Sequence, residues 1–229
     1  MIGAIFAGGY GKRLQSVNPE IPKVLLPLKQ DYVILDKQLS DYESAGIDEV
    51  YLMIGYKGDA IEKRYGNKWE GLKIQYLKER KPMGTLWALT NFFSKVDSDI
   101  LLRNGDTITD LDLKDFVKIS QQHRELVNML VVRMRSPFGI VSIQRNIVTN
   151  FKEKPLLHHY INGGTYFMKK GVKAFLDRKY AEKDIENSLF RTLATRKEIH
   201  TFKYDGLWKP IDSVKDYEEI REVYLTRGV

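Results

Sequence analysis

The first hundred residues alternate short apolar runs with amphipathic segments, and this rhythm restricts the fold more than any other feature of the chain. Ile2 to Ala7, Val50 to Gly55 and Leu72 to Leu77 read as strands, with helical patterns between them at Leu35 to Ala45 and Asp59 to Tyr65. Strand and helix in repetition build a parallel sheet covered by helices, because parallel neighbours need a crossover long enough to return the chain. Leu35, Leu39 and Tyr42 fall at i, i+4 and i+7 on one helical face, and Gly46 stands where a left-handed cap ends such a helix. Met83 to Phe93 predicts another helix. Asp99 to Arg103 is a short apolar run that predicts a central, fully buried parallel strand. Asn104, Gly105 and Asp106 follow at once, which puts Asp106 just past the carboxyl end of that strand, where open α/β sheets bind ligands.

Beyond a helix near Leu113 to Gln122 the rhythm changes to closely spaced strands: Val127 to Met134, Gly139 to Ile143, Val148 to Phe151 and Thr165 to Met168. Such spacing favours an antiparallel addition over a further βαβ repeat. Helices flank a strand at Ile199 to Tyr204, and Asp212 to Leu225 reads as a closing amphipathic helix. No internal repeat, low-complexity tract or Pro/Gly/Ser linker interrupts the chain. The expected fold is therefore one α/β domain over 1–229, a Rossmann-like, mixed but mainly parallel sheet flanked by helices, with an antiparallel addition.

Composition narrows the chemistry. The chain has no cysteine, which excludes disulfides, thiolate metal sites and cysteine nucleophiles and leaves carboxylates, lysine and arginine to act. No apolar run is long enough to cross a bilayer, and the apolar start at Ile2 breaks into glycines with no basic region before it, so neither membrane insertion nor a signal peptide is expected. The net charge of +7 suits polyanionic ligands. Its lysines, Lys57, Lys63, Lys68, Lys73 and Lys78 among them, are dispersed among glutamates, which argues against a nucleic-acid groove.

The segment Ala7-Gly8-Gly9-Tyr10-Gly11-Lys12-Arg13-Leu14 comes straight off the first strand. Glycines there let backbone N–H groups surround a phosphate chain without side-chain clash, although a tight strand-to-helix turn accounts for them equally well. Two commoner phosphate fingerprints fail: a P-loop would need glycine at Phe6 and Ser or Thr at Arg13, and a dinucleotide fingerprint from Gly9 would need a small residue at Leu14.

Gly8 to Leu14, followed by Pro22-Lys23 and Leu26-Pro27, closely resembles the signature of the sugar-1-phosphate nucleotidyltransferases, or nucleotide-sugar pyrophosphorylases. The resemblance recurs in order through Asn104-Gly105-Asp106, Phe138-Gly139-Ile140-Val141, Glu153-Lys154-Pro155, Asn162-Gly163-Gly164-Thr165-Tyr166 and Trp208 with Asp212. It implies transfer of a nucleotidyl group from a nucleoside triphosphate to a sugar 1-phosphate in the cytoplasm, with residues 1–125 forming a nucleotide-binding half and 126–229 a sugar-phosphate-binding half. It leaves no room after Asp212 for the β-helix or acyltransferase domain that some members append, so a minimal catalytic unit, possible as a homo-oligomer, is expected.

By that resemblance, Ala7, Gly8, Gly9 and Gly11 wrap the triphosphate, Arg13 and Lys23 neutralise it, and Asp106 and Asp212 bind Mg²⁺ as hard oxygen donors. Lys12 stands where relatives mostly carry Thr or Ser. Pro82, Gly84 and Thr85, within Glu79 to Thr85, match the base-contacting loop of the guanylyl-transferring branch. Glu153 and Asn162 would meet sugar hydroxyls, Lys154 the sugar phosphate, and Gly139 and Gly163 would offer backbone N–H groups near the ring. Asp212 could instead cap the last helix, and Trp87 reads as core packing with Leu86, Leu89 and Phe93. The pattern points to GTP with mannose or heptose 1-phosphate. Alternatives are a glucose-1-phosphate cytidylyl- or thymidylyltransferase, which the Leu207 to Asp212 ending resembles, a phosphocholine-type cytidylyltransferase, and a regulatory subunit that keeps the fold.

Overall fold

The computed structural model describes residues 1–176 and 180–227. Its chain runs β1 (Ile2–Phe6), β2 (Pro27–Lys29), β3 (Tyr32–Val33), α1 (Ile34–Ser44), β4 (Glu49–Ile54), α2 (Gly58–Tyr65), β5 (Lys68–Trp69), β6 (Leu72–Lys78) and α3 (Thr85–Lys95). It continues through β7 (Ile100–Asn104), β8 (Thr107–Thr109), α4 (Leu113–Ser120), β9 (Val127–Arg135), β10 (Ile140–Gln144), β11 (Ile147–Lys152) and β12 (Leu156–Met168). It then forms α5 (Arg191–Thr195), β13 (Ile199–Tyr204), β14 (Trp208–Pro210) and α6 (Val214–Arg227).

Eight strands make one sheet in the order β13-β9-β12-β7-β1-β4-β6-β5, so it is continuous across residue 125. β7, β1, β4 and β6 are parallel, and β12 enters antiparallel between β7 and β9. The expectation of a wholly parallel setting for the strand after Asp99 is thus corrected on one side: β7 pairs parallel with β1 but antiparallel with β12. The strand expected at Thr165 to Met168 is the buried end of a longer β12, whose largely exposed first half, Leu156 to Asn162 with His158 and His159 side by side, lacks an alternating pattern.

Alternation along the strands sends side chains to two apolar layers. Ile5, Leu52 and Leu101 pack with Leu35, Leu39 and Tyr42 of α1, whereas Ala4, Met53 and Leu102 pack with Leu86, Leu89 and Phe93 of α3. α1 ends in a Schellman motif: Gly46, at φ 74°, donates to Glu43 O, and Ile47 donates to Tyr42 O. The hydroxyl of Tyr42 donates to Ala4 O (2.9 Å) and lies 3.0 Å from Leu101 O, tying α1 to β1 and β7 from below. A third apolar cluster joins Leu14, Leu26 and Ile34 to Ile211, Tyr217 and Ile220 under α6. Among the described residues no helix is long and apolar enough to cross a membrane.

Candidate active site

The chain leaves β1 for β4 on one side and returns to β7 on the other, so the carboxyl ends of β1 and β7 diverge into a crevice. Ala7 keeps one more ladder bond, to Met53 O, before Gly8 and Gly9 turn away. Pro22, fixed in an extended conformation, precedes a single 3-10 turn at Lys23–Leu25 and aims the Lys23 side chain back under the glycine turn.

Asp106 and Asp212 are brought together through the backbone. β14 pairs antiparallel with β8, and the next residue, Ile211, donates its N–H to Asp106 O (2.9 Å). This sets Asp212 beside Asp106 although 105 residues separate them. The Lys23 ammonium lies between the two acids, 2.7 Å from Asp106 Oδ2 and 3.2 Å from Asp212 Oδ1. Lys23 is 10% exposed, and the carboxylates of Asp106 and Asp212 are 37% and 51% exposed. Two carboxylates at such range repel, and a cation between them relieves the repulsion.

A cleft of about 350 Å³ opens in front of this cluster. Of the residues singled out from sequence, Ala7, Gly8, Gly9, Lys23, Pro82, Gly84, Thr85 and Asp106 line it. Gly11, Lys12, Arg13 and Asp212 stand outside the lining, Asp212 reaching the site through Lys23, with Lys12 and Arg13 exposed and the Lys12 ammonium 5.9 Å from the centre of the Tyr10 ring. Trp87 is corrected: it is half-buried and lines the cleft, because α3 turns Leu86, Leu89 and Phe93 to the core and Trp87 with Ala88 to the opening. The alternative role for Asp212 as helix cap is corrected too. Ser213 caps α6, its Oγ accepting from the Asp216 N–H while Asp216 Oδ2 accepts from the Ser213 N–H, so Asp212 is left to the site.

The polar lining residues Asn91 and Glu186 carry no functional reading from sequence, and Glu79 and Asn104 enter there only as members of longer motifs with no role of their own. Glu79 closes β6, where its N–H bonds Ile54 O, and its Oε2 accepts from the Met83 N–H at 3.0 Å. Oε1 lies over Gly8 and Gly55. Its place at the end of a strand beside a glycine turn was the available signal. Glu186 comes from a distant segment at the cleft rim; crowding by protein pushes its carboxyl up from the ordinary range, and the charge of Asp184 adds to this.

The later motifs gather around the base of the β10–β11 hairpin. Glu153 Oε2 approaches Gly139, whose face is covered by the Phe151 ring. Glu153 and Lys154 are 62% and 52% exposed and 3.8 Å apart. Arg135 Nη1 donates to Lys154 O, and Ser136 N–H to Pro155 O, closing the hairpin base. Asn162 forms a turn, its Oδ1 accepting the Gly164 N–H (3.0 Å) and its Nδ2 donating to the Tyr166 hydroxyl (2.8 Å). Gly163 O accepts from Trp208 Nε1, and Gly164 abuts the Asn104 side chain. Gly139, Glu153, Lys154, Asn162 and Gly163 all lie outside the cleft lining, and this region reaches it where Gly164 meets Asn104.

A glycine turn at the mouth of a parallel sheet, with a lysine held between two carboxylates, defines an α/β protein built for phosphate chains. The nucleotidyl transferase family matches over residues 2–227, and the chain belongs to it. It is 31% identical over 238 residues to D-glycero-alpha-D-manno-heptose 1-phosphate guanylyltransferase of Aneurinibacillus thermoaerophilus, covering 97% of each chain. It is 27% identical over 240 residues to mannose-1-phosphate guanyltransferase of Gibberella zeae, covering 99% of this chain but only 65% of the fungal one, so it spans just under two thirds of that relative. In fold it is similar to UDP-glucose pyrophosphorylase complexed with UDP-glucose, with a TM-score of 0.78 at 18% identity over 99% of this chain and 98% of that one.

Proposed function

We propose that the protein is a sugar-1-phosphate nucleotidyltransferase that joins GTP to mannose 1-phosphate or heptose 1-phosphate. A phosphate oxygen of the sugar phosphate forms a bond to the α-phosphorus, and the bond from that phosphorus to the oxygen bridging to the β-phosphate breaks, releasing pyrophosphate. The observation that carries this reading is the Lys23 ammonium seated between Asp106 and Asp212 beside the glycine turn. A cation already sits where two hard oxygen donors meet.

Among the described residues no cluster of three or more His, Cys, Asp or Glu could hold a metal by itself. Two carboxylates suit Mg²⁺, which keeps waters and takes remaining ligands from substrate phosphates. Asp106 and Asp212 would hold Mg²⁺, which would supply charge neutralisation at the α-phosphate. Lys23 would then be able to pair with phosphate oxygens, and Arg13, exposed outside the cleft lining, would meet the same chain from solvent. Backbone N–H groups of the glycine turn orient it, so that alignment and charge stabilisation do the catalytic work.

Guanine is favoured by Glu79. A carboxylate accepts only, and the guanine edge offers adjacent N–H donors, whereas uracil and thymine present one N–H between two carbonyl oxygens. Trp87 lines the same cleft, and an indole ring is a surface on which a base can stack. The relatives named as guanylyltransferases support the same assignment, and the cytoplasm, where both proposed substrates are found, is the proposed location.

A pyrophosphate-release screen of GTP, CTP, UTP and dTTP against hexose and heptose 1-phosphates with Mg²⁺ tests the proposal. GTP with a manno-configured sugar 1-phosphate is expected to exceed every other pair by at least about tenfold. Preference for CTP or dTTP would overturn the base assignment, and no release from any pair would overturn the activity.

A further inference from the structure

Gln38 lies in the middle of α1, fully buried, far in sequence from every motif of the site. Its Nε2 donates to Thr107 O at 2.5 Å and reaches Asn104 O at 3.4 Å. These carbonyls flank Gly105 and Asp106, so one amide group spans the turn that carries the candidate metal ligand. Among the described residues no other side chain bonds the main chain of residues 104 to 107.

The rest of that turn is set by backbone and packing. Gly105 donates to Phe6 O, and a Cβ there would come within 2.6 Å of that oxygen, so the turn is pressed against the end of β1. Ile211 N–H holds Asp106 O on the other side. Gln38 supplies the hold from beneath, where neither strand can reach.

The amide is retained at a cost. Gln38 Oε1 is the single buried side-chain polar atom without a hydrogen-bond partner among the described residues. An unpaired buried acceptor destabilises a fold, and a methionine of similar shape would remove it, but only by leaving the Thr107 and Asn104 carbonyls without their donor. What glutamine alone provides there is a pair of N–H donors aimed at the turn.

We propose that Gln38 is a positioning residue for Asp106, holding the 104–107 turn so that the carboxylate faces a divalent ion shared with Asp212. The inference rests on the reading of Asp106 as a metal ligand given above. Gln38 touches no substrate; it acts through the turn.

The test compares wild type with Gln38→Met, Gln38→Glu, Asp106→Asn and, as a stability control from the same helix, Leu39→Ala. Mn²⁺ binding in the presence of GTP is read by water-proton relaxation enhancement, alongside steady-state kinetics and thermal melting. Gln38→Met is expected to raise the Mn²⁺ concentration for half-saturation about tenfold and to lower kcat by more than about tenfold, with the GTP KM within about threefold. Its Tm should fall less than that of Leu39→Ala, because loss of the unpaired Oε1 offsets part of the cost of leaving the Thr107 and Asn104 carbonyls without the amide. Gln38→Glu, which keeps the shape but lacks the donors, should show the same loss of Mn²⁺ affinity. Leu39→Ala should melt earlier yet keep wild-type Mn²⁺ affinity. Wild-type Mn²⁺ affinity and kcat in both Gln38 variants, with affinity lost in Asp106→Asn, would overturn this inference alone. Unchanged affinity in Asp106→Asn would overturn the metal reading and this inference with it.

Discussion

The cleft around Asp106 and the hairpin that leads to Lys154 belong to one chain but are built in opposite ways. At the cleft, parallel strands buried on both faces end in turns that other elements grip: β1 through Gly105, β14 through Ile211, α1 through Gln38. At the hairpin, β10 and β11 form a sheet of two strands, and every residue of both is exposed. Val141, Ile143, Val148 and Phe151 stand uncovered there, at 42% to 66% exposure. A pair of strands alone is marginal in water. Charge placed at the first region is fixed before any ligand arrives, whereas Glu153 and Lys154 at the second are free to adjust. Chemistry that tolerates little misalignment belongs at the first, and recognition of a variable sugar can be left to the second.

The largest effect expected from this contrast falls on Asp106→Asn, which should lower turnover by about a thousandfold while melting near wild type. Retention of more than about a tenth of wild-type turnover would break the assignment of the rigid region to metal binding. Lys23→Ala comes next. Removing the cation leaves Asp106 and Asp212 facing each other, and kcat/KM for the triphosphate should fall about a hundredfold with sugar-phosphate KM little changed. Arg13→Ala, outside the cleft lining, should cost about tenfold by the same measure; equal losses for both substrates would mean that neither cation belongs to the triphosphate.

Lys154→Ala probes the other region. It should raise the sugar-phosphate KM about tenfold with no change in Tm, since its 3.8 Å contact with Glu153 is exposed and worth little. An unchanged KM would return Lys154 to the solvated surface. Smaller still, Glu79→Gln should reduce the preference for GTP over UTP about fivefold, read as a ratio of kcat/KM values. Ile143→Ser should shift stability by no more than about 0.5 kcal/mol, where Leu39→Ala under the cleft should cost about 2–5 kcal/mol. A large loss from Ile143→Ser would show that the hairpin is covered in solution.

Legibility from sequence followed the same division. Helix α1 and its cap were readable because Leu35, Leu39, Tyr42 and Gly46 obey a local period and a local backbone requirement. The first half of β12 was not, since its pairing with β9 is made against a strand of mixed pattern and leaves polar side chains exposed. Trp87 was misread for a related reason: composition marks a tryptophan as core material, and only the rotation of α3 against the sheet decides which face it occupies. The glycine turn and the acids at 106 and 212 were visible as motifs, but their separation in sequence carries no distance.

Apart from the short strands β2, β3, β5, β8 and β14, residue pattern alone carries the alternation of the longer strands and helices, the turn after β1 and the supply of carboxylates and cations from a chain without cysteine. Those are local properties, written in periodicity, glycine placement and residue type. Packing of the sheet sets Lys23 between Asp106 and Asp212, Glu79 over Gly8, and Gln38 against the turn from the helix beneath. Each of these contacts joins residues brought together by the packing of the sheet, where burial and hydrogen-bond geometry, not sequence spacing, select the partners.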